Sequence, residues 1–460
     1  MISPQELIER ILAKSDHADC MVVVEDSTQA NLRWANSTLT TNGMIAERKV
    51  TVIAFVAVDG GLAVGAATRA DIGLDDIDGV LREAGAAAAA SGLADDYMPL
   101  AGSESIGDWQ AAHTATGPEV FGAVAPALGD MFQRSVADSI ELFGYAEHTS
   151  TSTWLGSKGG LRLRHDQPAG RVEMTGKSHG RTRSTWEGRA TRDFSNIDIA
   201  EVDAAIRTKL AWQGNRIEVP AGRYDTVLTP SAAADLMVYG MFVADARSAH
   251  EGRSAYAKQG GGTRIGERVS KLPVNLYTDP AFAGLECGPF ALTTESSALQ
   301  SVFDNGQRLG RSHMLRGGVL ESLFHTRATA KEFGEAFTSI GDNFVMDVDG
   351  GIGDTMALVS GVEDGLLLNT MWYIRMVDPA TLLLTGLTRD GVYRVRGGEV
   401  VGAVNNFRWN ESPLEVLGRL TAAGASGITQ PREWADWVER VAMPPLRVAD
   451  FNMSTVSAAN

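Results

Sequence analysis

Residues 50–67 read VTVIAFVAVDGGLAVGAA. Two runs of β-prone side chains, 50–58 and 62–67, flank Asp59-Gly60-Gly61, residues that accept positive φ at little steric cost, so the stretch predicts a β-hairpin. Directly downstream, Leu74, Ile77, Val80, Leu81 and Ala84 recur at helical spacing through an Ala-rich run that Gly92 closes at the C-cap. Upstream, Ser3-Pro4-Gln5-Glu6 is a capping box with Pro at the first helical position, and Leu7, Ile8, Ile11 and Leu12 then share one helix face. Residues 21–25 and 32–35 read as strands. Helix, strands, hairpin and helix in this order point to a mixed fold with antiparallel pairing.

From 131 to 193 short β-prone runs alternate with Gly and Ser, as in LRLRHDQPAGRVEMTGKS, and extend the same sheet. Residues 199–212 read as a helix, and GNRIEVPAGRYDTVLTP after it starts a new rhythm taken as a domain boundary. There 224–228 is a strand and Thr229-Pro230-Ser231 opens an Ala-rich helix to about residue 246. The last third reads as a meander, with VYRVRGGEVVGAV folding around Gly397-Gly398, followed by a helix that starts at Ser412-Pro413-Leu414 and turns Leu414, Leu417 and Leu420 inward. The expected fold class is α+β in two domains: an N-terminal α/β sandwich-like domain over 1–215 and a C-terminal, mostly antiparallel β domain with helices over 216–460.

The chain has 460 residues, with 41 Lys and Arg against 57 Asp and Glu, a formal charge of −16. That balance argues against a nucleic-acid backbone or an anionic membrane surface as the main partner. The first residues carry acids where a signal peptide needs an apolar run, and no stretch is long and apolar enough for a membrane span, so the expected location is the cytoplasm. Cys20 and Cys287 are too few for a disulfide framework or a Cys-rich metal cluster and read as buried small hydrophobes. The sequons at Asn36 and Asn452 carry little weight without a secretory signal.

His250-Glu251, in SAHEGRSAYAKQGGGTRIG (248–266), is the first half of a zinc-protease motif. Two imidazoles a helical turn apart must reach one tetrahedral ion, with Glu as the base beside its water. Ser254 and Ala255 stand where the second His belongs, and Gly252 with Gly260-Gly261-Gly262 makes a poor rigid helix. None of the other histidines, His17, His113, His148, His165, His179, His313 and His325, lies within five residues of another. Gly176-Lys177-Ser178 lacks the first Gly of a phosphate loop, since that position is Arg171. Gly260, Gly262 and Gly266 miss the dinucleotide spacing. DVDGGIGD (347–354) lacks the Gly and the acid of a calcium loop at Ile352 and Leu358, and reads as a polar turn with Asp354 capping the next helix. Arg311, Arg316 and Arg327 either bind a carboxylate or pair with Glu321 and Glu332.

Several blocks in order resemble the TldD/PmbA family, and within it the PmbA (TldE) branch: NLRWANSTLTTNG with the strand pair after it, YDTVLTPSAAADLM, GRSAYAKQGGGTRIGERVSKLPVNLYTDP, FDNGQRLGRSHMLRGGVLESLFHTRATAKEFG, VEDGLLLNTMWY and VNNFRWNESPLEVL. The resemblance covers roughly residues 5–425. It implies a cytosolic two-subunit peptidase acting on unfolded peptides, in which a TldD-like subunit carries zinc on an H-E-x-x-x-H helix. That helix lies just ahead of a segment like RIGERV, so its slot here falls near Met237-Val238-Tyr239-Gly240-Met241-Phe242-Val243, which offers no His, Glu or Cys.

The resemblance therefore implies a non-catalytic subunit that encloses and positions peptide for a TldD-like zinc-bearing partner. No metal or cofactor is expected in this chain, and zinc is expected in the partner subunit; a homodimer is also possible. The candidate peptide contacts are Arg253, Gly260, Gly261, Gly262, Arg264 and Arg311, with strand addition at a sheet edge as a recognition mode. Two other readings stay open: a self-sufficient metallopeptidase with ligands from dispersed histidines, and an interaction or modulator protein without a peptidase role.

Overall fold

The computed structural model describes residues 2–457, so the last three residues of the polar end STVSAAN lie outside it. The hairpin forms where the sequence predicts it: strands Thr38–Val58 and Gly61–Ala70 pair from Val58 opposite Gly61 to Lys49 opposite Ala70. It sits at the edge of a seven-stranded sheet that continues through Asp19–Ala35, Glu141–Ser157 and Arg162–Ser178, with Ser105–Ile106 and Arg183–Thr191 both pairing to the last of these. The two strands expected over 21–25 and 32–35 are one continuous strand. The polar interval between them stays in the ladder because it is paired on both edges, Ser27 facing Glu47 on one side and Thr151 on the other. Backbone groups satisfied from two sides hold a strand whatever side chains it carries. The region from 131 also differs from expectation. It begins as part of the helix Ala125–Ala137, and two of the three strands that follow run 17 residues each.

Alternation of side chains gives this sheet two distinct faces. Val22, Val24, Val52 and Ala54 lie under the helices Pro4–Lys14 and Ile77–Ser91, against Ile8, Ile11 and Ala84. The second helix rests on bare backbone at Gly65, where a Cβ would fall 2.0 Å from the Ala88 amide nitrogen. Farther along the same face, helices Ala125–Ala137 and Ile199–Trp212 cover Ala146, Val172 and Met174. On the opposite face Met21, Val23, Phe55 and Leu155 meet Phe290 and Phe303 from the second half of the chain.

In the second half, the strand Asp364–Asp378 pairs in parallel with Gly222–Leu228 and antiparallel with Leu383–Arg396. Because Gly222–Leu228 continues through Leu446–Val456 and Phe407–Glu411 back to Leu383–Arg396, the pairing closes on itself. The helix Pro230–Phe242 packs against residues of this ring, including Leu366, Leu368, Met371 and Trp409. Its start is the predicted one, with the Thr229 side chain accepting from the Ala232 amide and Pro at the first position. A six-stranded sheet runs from Val319–Leu320 through Ser312–Arg316, Val274–Thr278, Val345–Val348 and Val441–Met443 to Gly427–Thr429. The turn at Gly397-Gly398, both with positive φ, links the strands Leu383–Arg396 and Glu399–Val404. Asp354 caps the helix Thr355–Val359 by accepting from the Ala357 amide at 2.8 Å. The chain is thus α+β, with helices on sheets and mainly antiparallel strands. Among the described residues no helix is long and apolar enough to cross a membrane.

Candidate functional site

The sheet face that is apolar at Met21, Val23 and Leu155 turns polar two residues farther along each strand. Glu25 stands beside Lys49 and Thr153, and Thr153 beside His165; in the next row Ser27 faces Thr151, and Thr151 faces Gln167. Lys49 Nζ lies 3.2 Å from the Glu25 carboxylate, and the Ser27 and Thr151 hydroxyls are 3.0 Å apart. This polar face is the floor of a cleft of about 540 Å³, roofed by Cys287, Phe290, Asp342, Trp437, Glu439 and Arg440. Glu439 Oε2 finds no hydrogen-bond partner among the described residues, and burial pushes its carboxyl above the usual range. The floor offers hydroxyls, an amide and an ion pair in register along extended strands, a surface suited to polar, extended chains.

The roof is set by residues 430–440. Arg432 lies between Trp186 and Trp372, 5.0 and 5.2 Å from their ring centroids, and pairs with Asp390 at 2.6 Å. The Glu433 carboxylate accepts the amides of Tyr373 and Ile374, each at 3.0 Å. Asp436 binds Arg171 of the sheet at 2.9 Å. Trp434 packs edge-on against Tyr239 at 5.3 Å and Phe242 at 6.4 Å, and stacks on Trp437 at 5.7 Å. Its indole N–H donates to the Asp235 carbonyl at 2.9 Å.

The slot identified by resemblance thus lies on the helix Pro230–Phe242 and the residue after it. Met237, Val238 and Met241 are buried, and Trp434 seals Tyr239 and Phe242. Zinc takes imidazole, thiolate or carboxylate ligands, and positions 237–243 supply none, so these residues do not fit the ion. Among the described residues no group of three or more His, Cys, Asp and Glu side chains comes together as a metal site. Trp434, which covers the slot at Tyr239 and Phe242, stacks on Trp437, which lines the cleft and is three-quarters exposed, at 76%.

Two residues before the slot, Asp235 is completely buried. One carboxyl oxygen accepts the Glu433 amide at 2.8 Å, while Oδ2 has no partner among the described residues. Burial holds this carboxyl well above the ordinary range, with the nearby Glu433 charge adding to the rise. An acid whose folded pKa exceeds its unfolded one contributes stability below the unfolded pKa, and that contribution is lost as pH rises through the folded pKa. Asp235→Asn, which keeps the acceptor and cannot ionise, is therefore expected to gain on the parent protein as pH rises from about 4. Urea midpoints of both proteins followed from acid to neutral pH check this, and parallel curves would refute it.

The other sequence candidates fall elsewhere. His250 ends the short helix Ala246–His250 and stacks on Phe333 at 3.9 Å, with His325 6.1 Å away ring to ring. Glu251 turns instead to Arg253 and Arg247. Arg264 pairs with Glu267 at 2.9 Å and donates to the Ala255 carbonyl. Gly260, Gly261 and Gly262 make an exposed turn with φ of 94°, 115° and 80°. Arg253, these glycines and Arg264 therefore share one loop region, while Arg311 stands apart, bound to Asp279 at 2.8 Å beneath the Tyr277 ring. None of the six lines the cleft. Arg316 pairs with Glu321, but Arg327 pairs with Asp304, and Glu332 goes to Arg247. The cleft floor and the segment 430–440 did not emerge from motif reading. Their sequence trace is the alternation of Thr149, Thr151 and Thr153, and the density of Trp and charge in PREWADWVER.

Residues 221–455 match the family model described as the PmbA/TldA metallopeptidase C-terminal domain. Among solved structures, TldE from Thermococcus kodakarensis is similar with a TM-score of 0.74 at 12% identity, over 97% of this chain and 99% of that one. A Thermotoga maritima protein described as a candidate modulator of a DNA gyrase gives a TM-score of 0.76 at 15% identity, over 97% and 99% of the two chains. A Bacteroides thetaiotaomicron protein described in similar terms gives 0.71 at 13% identity, over 98% of each. No curated protein sequence matches the chain.

Proposed function

The chain belongs to the PmbA/TldA metallopeptidase family, and on that premise we propose that it is a non-catalytic, TldE-like subunit of a two-subunit zinc peptidase acting on unfolded peptides. The observation that carries the reading is the pairing of a polar cleft with a helix end whose slot, residues 237–243, offers no His, Glu or Cys and is covered at Tyr239 and Phe242 by Trp434. A peptide held extended along the Thr-lined floor loses conformational freedom before it reaches the reacting groups, and this positioning lowers the barrier for chemistry done by another subunit. The zinc and the base would belong to a TldD-like partner, and the complex would work in the cytoplasm. The loop bearing Arg253, Gly260–Gly262 and Arg264, together with Arg311, lies outside the cleft and is proposed to contact peptide or partner beyond its mouth.

The test is reconstitution. The purified chain is expected to hold far less than one zinc per subunit and to leave an unfolded peptide intact. The same chain mixed with a family member that carries a complete H-E-x-x-x-H helix is expected to cleave that peptide faster than the zinc-bearing chain does alone. One tightly held zinc per chain with hydrolysis in the absence of any partner would refute the assignment.

A further inference from the structure

A second cavity, of about 790 Å³, opens where the two halves of the chain meet, and it shares no lining residue with the cleft. One face of the helix Ile199–Trp212, with Ala205, Thr208, Lys209 and Trp212 at helical spacing, forms one wall, and residues 353–356 and 425–429 form another. Polar groups gather at the start of the helix Pro230–Phe242. Lys209 Nζ donates to Glu187 and to the Asn369 side chain, which leaves the third N–H of the ammonium without a partner among the described residues. The Asn369 carbonyl accepts the Thr229 hydroxyl at 2.7 Å and so ties Lys209 to the cap of that helix. In the first turn the Ala232 amide goes to the Thr229 hydroxyl and the Ala233 amide to the Thr229 carbonyl. Pro230 has no amide, so Ser231 is the residue whose N–H the turn itself does not satisfy. Ser231 lines the cavity at 8% exposure, and its hydroxyl has no partner among the described residues.

We infer that this cavity binds a single-chain amphipathic carboxylate of the medium-chain fatty-acid class, with its head at Ser231 and Lys209 and its chain along Trp212, Leu367, Met356 and Ile428. The head end is positive. Lys209 and Arg189 share the one carboxylate of Glu187, and the N-terminus of a 13-residue helix adds its partial positive charge. The Ser231 amide, the Ser231 hydroxyl and the free N–H of Lys209 are donors with nothing to bind, and a buried hydroxyl without a partner marks a place where one belongs. Asp354, the other acid of the lining, is occupied in capping the helix Thr355–Val359. With these four charged side chains balanced, one added negative charge suits the site better than the two of a phosphate monoester. The rest of the lining asks for hydrocarbon. Met356 and Ile428 leave 42% and 41% of their surface bare, and an apolar chain laid against them removes that surface from water. The volume falls in the range of small-molecule sites, about 300–1,000 Å³. The site concerns this chain alone and does not depend on the peptidase reading.

Calorimetric titration of the full chain with octanoate, and in parallel with 1-octanol, tests it. Octanoate is expected to bind at one per chain and at least tenfold more tightly than the alcohol, against the repulsion that a protein of charge −16 exerts on an anion. Ala205→Phe fills the cavity from the helix Ile199–Trp212 and is expected to weaken octanoate at least tenfold, with the fold retained by circular dichroism. Ser231→Ala removes a buried hydroxyl that has no partner, so the ligand-free protein is expected to melt no lower than the parent, while octanoate binding falls at least threefold. A purely structural role for Ser231 predicts the reverse pattern, a lower melting temperature and unchanged binding. No octanoate binding up to low-millimolar concentration, equal binding of the alcohol, or undiminished binding by either variant would each overturn the inference.

Discussion

Trp434→Ala is expected to cost about 3–5 kcal/mol of stability, the range for removing a large buried aromatic and leaving a cavity. The indole is buried, contacts Tyr239, Phe242 and Trp437 through its rings, and holds the Asp235 carbonyl through its N–H. Trp434→Phe keeps most of the packing and loses that one hydrogen bond, a net effect of about 1 kcal/mol plus a smaller packing loss. Chemical denaturation of the two variants should separate them clearly. Because Trp434 anchors the roof segment, the Ala variant should also lose amide-exchange protection over residues 430–440 before the rest of the chain opens. Equal costs for Ala and Phe would mean that the rings do not pack as described.

The second large effect lies where the two halves join. Glu187, on the strand Arg183–Thr191, is buried against Lys209 of the helix Ile199–Trp212 and also binds Arg189. Lys209 in turn reaches Asn369 of the strand Asp364–Asp378, whose side-chain amide donates to the Trp186 carbonyl at 2.9 Å. Burial alone would raise the Glu187 carboxyl, but Lys209 and Arg189 outweigh it and hold it below the usual carboxylate range. Glu187→Ala leaves the Lys209 ammonium largely enclosed without its partner carboxylate, and is expected to cost about 3–5 kcal/mol near neutral pH. Replacing both partners, Glu187→Leu with Lys209→Met, should recover much of that loss, because the penalty belongs to the charge left behind.

The pH dependence of this pair has the opposite sign to that of Asp235. A depressed folded pKa contributes stability above the unfolded value, near 4.3 for Glu, which is lost as pH falls through the folded one. The parent protein's advantage over Glu187→Gln should therefore shrink on acidification, whereas its deficit against Asp235→Asn should shrink in the same direction. Urea midpoints across the acid range distinguish the two. An advantage over Glu187→Gln that persists undiminished into acid would remove the ion pair from the account.

Much of the local structure was legible because it is encoded locally. Caps at Ser3 and Thr229, the helix Ile199–Trp212, the hairpin at Asp59-Gly60-Gly61 and the turn at Gly397-Gly398 each follow from residues that satisfy or constrain their own backbone. The failures share a cause. The strand through Ser27 and the long strands after 140 contain polar intervals that periodicity reads as breaks, yet each is held by the strands beside it, Asp19–Ala35 and Glu141–Ser157 pairing across more than a hundred residues. Motif reading found the incomplete half-motif at His250-Glu251 and the family resemblance located the slot at 237–243, but both passed over the cleft and the segment that roofs it.

The sequence by itself determined which ligands this chain can offer at positions 237–243, where the helices begin, and to which family the chain belongs, since these depend on residue identity and near neighbours. Only the tertiary structure decided that Trp434 covers the slot and that Thr149, Thr151 and Thr153 face Cys287 and Arg440 across a cleft. Side-chain alternation gives each strand two faces, but which face is enclosed, by what, and where a ladder ends depends on contacts between distant parts of the chain, which no local pattern records.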